Sequence, residues 1–277
     1  MCKLLSAGFV RLWRDKVFWL CMLGMLVMNL FIVLNGSRQA SGAMAEYGYT
    51  LDRYYYNEAP LVGMFTAIIV SLFVGTEYYE GAVRNKLAVG HTRSNIYLAN
   101  FVVCYVAGIC IVAVWLLSGF AGIPFLGGLE GGVVSVLKAL TIAGGYTAAF
   151  TAIFTLVSNF ANNRATLAVL TILVYIALLM AASKIYSRLD EPQMIALTQI
   201  TAEGVLQTSV PEMNPLYVDG AKRAVFEFLL DFLPTGQGIL LSDAAITHPV
   251  RQILSSIGIT LVTLWGGTQL FKKKDLK

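Results

Sequence analysis

The sequence predicts an all-α membrane protein: an interfacial helix at the N-terminus, six transmembrane helices, and an outer re-entrant helix pair before the sixth. Three observations carry that prediction. Hydrophobic residues make up 57% of the 277 and charged residues only 13%, against about 25% charged in an ordinary soluble domain. Mean hydropathy is +0.70. Six apolar runs are each long enough to cross a bilayer at ~1.5 Å rise per residue. All of 1–277 therefore reads as a single transmembrane domain.

Residues 3–16 place Leu5, Phe9, Leu12 and Trp13 at helical spacing among Lys3, Arg11, Arg14 and Lys16, the pattern of a helix lying in the membrane interface. The first span is 17–34. A secretory leader is the competing reading, since Ala43-Met44-Ala45 resembles a cleavage site. It is disfavoured because the apolar run is longer than a leader's and the site lies far beyond its end. A Tyr-rich polar loop, 35–58, precedes the second span, 59–76. A charged segment, 77–95, leads to the third span, 96–123, which Thr92 or Ser94 is placed to cap. A glycine-rich turn separates it from the fourth span, 133–158. The polar knot Asn159–Arg164 leads into the fifth span, 165–183, and the sixth is 251–271.

The long region 184–250 is composite. Asp190-Glu191-Pro192 ahead of QMIALTQITAEGVLQ reads as a capped helix with Pro in its first turn. Further on, AVFEFLLDFL, the breaker Pro234-Thr235-Gly236-Gln237-Gly238 and ILL read as two short helices around a turn at Pro234, Gly236 and Gly238. Such a pair cannot span, but it can dip into the outer leaflet if protein covers the bend. The alternative is a soluble extracellular cap. Arg223, Glu227 and Asp231 stand at i, i+4 and i+8 and are expected to line one face and partly pair.

Basic residues set the orientation. Twelve of the 20 Lys and Arg fall on the side of the N-terminus and seven on the other, with Lys138 inside the fourth span. The positive-inside rule then puts both termini in the cytoplasm of a multi-pass protein of the bacterial plasma membrane. The basic residues cluster at the ends of apolar runs rather than on an aromatic-laced face, so nucleic-acid binding is excluded. The four cysteines, Cys2, Cys21, Cys104 and Cys110, form no CxxC spacing or disulfide framework and read as small hydrophobes. GxxxxGK[ST], HExxH and GxSxG are all absent, and His91 and His248 lie far apart, so the chain is expected to bind no metal or cofactor and to catalyse no reaction itself. No span carries an acidic residue except Glu77 at the end of the second. That argues against an ion-coupled carrier. Lys138 is close enough to the start of the fourth span to snorkel and is a candidate substrate contact.

The charged segment EYYEGAVRNKLAVGHTR carries Glu77, Glu80, Arg84, Lys86, His91 and Arg93 within 17 residues. With the interfacial helix, the six spans and the re-entrant pair, it resembles the permease subunits of type-2 ABC exporters, most closely the small bacterial permeases linked to peptide-antibiotic export or immunity. The residues that carry the resemblance are Glu77, Glu80, Gly81, Arg84, Asn85, Lys86, Gly90, His91, Thr92 and Arg93, then Pro234–Gly238 and the ending Phe271–Leu276. Many members have a proline before the Ser/Thr-Arg pair, where Gly90-His91 stands here. The resemblance implies a cytoplasmic coupling helix within Gly81–His91, docking on a separate nucleotide-binding subunit that holds ATP and Mg. It also implies a second permease, identical or similar, and an amphipathic substrate such as an antimicrobial peptide or lipid. The residues agree with a docking helix: Val83, Leu87 and Val89 supply packing, Arg84 and Lys86 supply charge, and Gly81 permits a chain reversal. The alternatives are an ion-coupled carrier or channel, and a non-transporting membrane sensor or scaffold.

Overall fold

The computed structural model describes residues 1–40, 51–129, 131–161, 163–195, 198–200, 206–208 and 211–274. Ala43–Ala45, Tyr47, Tyr49 and the ending Asp275–Leu276 lie outside these residues. Among the described residues, six helices are long and apolar enough to cross a membrane.

Helix α1 (Cys2–Arg14) turns its Leu4 and Leu12 inward and leaves Val10 and Trp13 exposed. Asp15 ends it in an extended conformation. The Asp15 carboxylate then accepts a hydrogen bond from the Val17 N–H at 2.8 Å, capping α2 (Lys16–Ala40). Asp15 thus both ends α1 and caps α2. Helix α3 (Leu51–Tyr55) follows. The segment that reads as a polar loop is half core: Leu51, Tyr55, Tyr56, Glu58 and Ala59 are buried. Trp115 donates to the Tyr55 carbonyl at 3.0 Å, and the Tyr55 hydroxyl donates to the Leu116 carbonyl at 2.6 Å. Hydroxyls engaged in this way are no longer polar surface.

Helix α4 (Leu61–Tyr79) is the centre, with α2, α6 (Arg93–Gly119), α8 (Gly132–Val157) and α9 (Arg164–Asp190) packed around it. Two-thirds of its apolar window is buried, against 11% for α12 (Pro249–Lys273). The approach of α8 and α9 requires Gly63, where an added Cβ would sit 2.7 Å from the rings of Phe150 and Tyr175. Short α5 (Ala82–Ala88) joins α4 to α6, and α7 (Ile123–Leu126) lies between α6 and α8. Thr92 caps α6, its hydroxyl accepting from the Asn95 N–H, and Asn163 caps α9 through the Thr166 N–H. Helix α12 lies along α8 at the edge of the bundle. All four cysteines are free, and Cys21 and Cys104 are buried.

Two expectations fail between α9 and α12. The helix expected after Pro192 is replaced by short antiparallel pairs. Strand β1 (Met194–Ile195) pairs with β4 (Glu212–Met213), and β2 (Thr198–Ile200) with β3 (Leu206–Thr208). Helix α9 itself continues to Asp190. The β-branched Ile195, Thr198, Ile200 and Thr208 favour a pleated surface over a helix. The second correction concerns Pro234, Gly236 and Gly238, which do not form a turn. They lie in α11 (Pro234–Ser242), which meets α10 (Gly220–Phe232) at 97°. The bend falls at Leu233 (φ −73, ψ 127), because a residue before proline is driven out of the helical region. Gly236 and Gly238 serve close approach instead. A Cβ on Gly236 would lie 2.1 Å from the Leu230 carbonyl oxygen, and one on Gly238 would lie 3.2 Å from Pro60 Cα.

Candidate functional site

The charged segment folds into α5 flanked by two left-handed glycines, Gly81 (φ 67) and Gly90 (φ 94). Gly90 closes α5: its N–H donates to the Leu87 carbonyl at 2.9 Å, and the His91 N–H donates to the Lys86 carbonyl at 3.1 Å. That pair of bonds is the Schellman arrangement, which requires a left-handed residue at this position. A proline cannot adopt it, since its ring fixes φ near −65°. The turn here is built on glycine.

One carboxylate anchors the segment. Glu77, at the end of α4, has a side chain only 2% exposed. Its Oε1 accepts from Arg11 Nη1 at 2.7 Å and from Lys86 Nζ, and its Oε2 accepts from Asn100 Nδ2 at 2.8 Å. Arg11 also donates to the Phe73 carbonyl, and its guanidinium lies 4.0 Å above the Phe73 ring. Four helices, α1, α4, α5 and α6, are thus tied through one group. Two cations and an amide compensate a buried charge that would otherwise be very costly. Beneath α5, Val83 packs with Leu4, Ile96, Tyr97, Ala99 and Phe271, and Leu87 lies against the same cluster.

A second set of ties holds the neighbouring helix ends. Arg93 donates to the carbonyls of Phe271 and Lys274. Lys274 donates to the carbonyls of Ser158 and Ala161 at 2.9 and 2.7 Å, with its ammonium 4.1 Å over the Tyr78 ring. Burial pushes the Lys274 amine down to about 8.

These contacts sort the residues expected to meet a partner. Glu77, Lys86 and Arg93 are engaged within the chain, and Val83 is buried. Leu87 and His91 are half-buried, while Glu80, Arg84 and Asn85 are exposed. Tyr79 and Val89, at 78% and 79% exposure, flank them. Among the described residues neither Glu80 nor Arg84 has an ion-pair partner. Gly81 reverses the chain, so the helix lays Lys86 back over the end of α4, where it meets Glu77.

Arg11 and Asn100 are the members that sequence reasoning missed. Both carried a signal. Leu4, Gly8 and Arg11 fall at i, i+4 and i+7 on the buried side of α1, where a Cβ on Gly8 would lie 2.7 Å from Val103. Asn100 interrupts the buried stripe Ile96, Val103, Ala107. A polar residue on an apolar stripe needs a partner.

At the opposite end of the bundle, Asp231 of α10 is also 2% exposed in its side chain. Arg251 grips it, Nε at 2.6 Å, and Gln252 Nε2 donates to its other oxygen at 2.8 Å. Arg223, Glu227 and Asp231 line one cavity and partly pair as expected, Arg223 with Glu227 at 3.1 Å, while Asp231 is held by α12. An apolar groove of about 740 Å³ opens beside it, walled by Phe228, Phe232, Leu254 and Gly258 and rimmed by His248 and Arg251. Lys138 is exposed at this end, beside Pro249 and Ile253.

A model of the ABC-2 family of transporter proteins matches residues 4–179, more than half of the chain. The chain belongs to that family: it is an ABC-2 type permease, the membrane subunit of an ABC exporter. The match contains α1, the Glu77 cluster and α5, and ends within α9. A search of curated proteins finds no match.

Proposed function

We propose that this permease couples ATP hydrolysis by a separate nucleotide-binding subunit to export of an amphipathic substrate, with α5 as the coupling helix. The observation that carries the reading is the division of the 77–93 segment into an anchored side and a free side. A lever must be fixed to what it moves and open to what pushes it. Glu77 fixes α5 to α1, α4 and α6, while Tyr79, Glu80, Arg84, Asn85 and Val89 stand free. The basic residues place this end, and both termini, in the cytoplasm of a multi-pass plasma-membrane protein. ATP and Mg belong to the partner, and a second permease, a copy or a near relative, completes the pathway by rocking between inward- and outward-open populations. On the outer side, α10 and α11 form the re-entrant pair. The apolar groove with its basic rim suits an amphipathic peptide or lipid, and Lys138 is a candidate contact near it.

The test is co-purification. The intact chain is expected to retain the ABC ATPase co-expressed with it, and Arg84→Glu is expected to release that ATPase while the chain stays folded. Retention by the variant would remove α5 as the docking site.

A further inference from the structure

Glu58 is fully buried at the end of the bundle opposite α5, and among the described residues no side chain donates to either carboxyl oxygen, its own backbone N–H alone favouring the charged form. Tyr146 of α8 donates to the Ala59 carbonyl and Tyr175 of α9 to the Pro60 carbonyl, each at 2.9 Å, and Tyr56 lies buried in the same turn. From α3, the Tyr55 hydroxyl is bound to Leu116. Thr235 and Gln237 of α11 are neutral and donate to the carbonyls of Leu178, Asp231 and Gln252. Asp231 of α10 and Arg251 of α12 are paired with each other. Asp52 and Arg53 of α3 have side chains outside the described residues. Helix α11 seals the turn, its Gly238 lying against the backbone of Ala59 and Pro60.

We propose that Glu58 is a proton-binding site controlled by α11. While α11 is seated, the carboxyl keeps its proton; when α11 leaves the Ala59–Pro60 turn, the O–H bond breaks and the proton passes to the water that enters. An ionised carboxylate without a partner in such a place is so unfavourable that the group stays neutral instead. Burial accordingly raises its pKa from 4.5 to about 7. The permease would then carry a proton-linked step that does not depend on α5 being the docking helix.

The experiment is infrared spectroscopy of the full chain in lipid nanodiscs, using the difference between wild type and Glu58→Gln to isolate the protonated-carboxyl C=O band. With the midpoint at about 7, the band at pH 6 is expected to be about tenfold stronger than at pH 8. A band absent at pH 6, or equal at both pH values, overturns the proton site. Control by α11 is read separately with Gly238→Leu, a wedge against Pro60, with helicity checked by circular dichroism. Its band at pH 6 is expected to fall more than about tenfold as the group returns toward its ordinary pKa, and an unchanged band overturns the control. Thermal unfolding gives a further reading. The folded pKa lies above the unfolded one, so wild type is expected to lose stability relative to Glu58→Gln as pH rises from 4.5 through about 7, and not beyond. A difference that does not change across that window overturns the proposal.

Discussion

The two ends of the molecule each bury a carboxylate, and each gives it an arginine and a carboxamide: Arg11 and Asn100 on Glu77, Arg251 and Gln252 on Asp231. The similarity stops at connectivity. Glu77 gathers groups 66, 23 and 9 residues away on three other helices. Asp231 holds residues 20 and 21 positions on, both in α12. The first arrangement makes a rigid junction between elements that meet only in the tertiary fold. The second clamps one bent pair to the next helix, with Gln237 of α11 bonded to the carbonyls of Asp231 and Gln252. On the proposed function, with α5 as the coupling helix, the former is the arrangement that a force-transmitting end requires.

The sharpest way to break this contrast is to remove each carboxylate. Glu77→Ala leaves Arg11 and Lys86 without a counter-charge, and breaking a buried pair in this way costs roughly 3–5 kcal/mol. A large drop in the thermal midpoint of the purified chain is expected, together with loss of the ATPase partner as α5 comes adrift. Asp231→Ala is expected to cost less, about 1–3 kcal/mol, because it leaves one guanidinium without its counter-charge where Glu77→Ala leaves two cations. Equal losses in the two variants would show that the two ends are built alike. Asn100→Ala removes a single hydrogen bond to a charged group, worth about 1.5–3 kcal/mol in general, and falls at the low end because both cations remain on Glu77. A loss as large as that of Glu77→Ala would make the amide, not the cations, the group that holds the junction.

The same contrast explains what the sequence could and could not reveal. The six long helices follow from run length and hydropathy and the α6 cap from the choice of Thr92 or Ser94, of which Thr92 makes the bond, while a helix within Gly81–His91 comes from the resemblance, with Gly81, Val83 and Leu87 agreeing. These are local signals. The role of Lys86 was hidden because its orientation depends on Gly81 folding α5 back over α4, and the role of Arg11 because its partner lies 66 residues on. Glu58 and Tyr55 sit in a stretch whose composition is polar. Their burial follows from Trp115, Tyr146 and Tyr175 bonding to backbone carbonyls of that stretch, and no hydropathy sum registers such bonds. The strands after Pro192 were missed through weighting: proline and an acidic start signal a helix, but the β-branched residues that follow prevail.

The smallest expected change in stability belongs to the residue with the largest expected effect on partnership. Arg84 is exposed and has no ion-pair partner among the described residues, so Arg84→Glu is expected to alter unfolding by no more than about 0.5 kcal/mol. Lys86→Glu, two positions on, puts a second carboxylate against buried Glu77 and is expected to destabilise the chain visibly. Two charge reversals of the same sign on one seven-residue helix then separate anchoring from docking. The Arg84 variant should unfold like wild type and lose the ATPase, while the Lys86 variant should lose both stability and ATPase. If the Arg84 variant also unfolds early, the exposed side of α5 contributes to the fold after all, and the division between a fixed side and a free side does not hold.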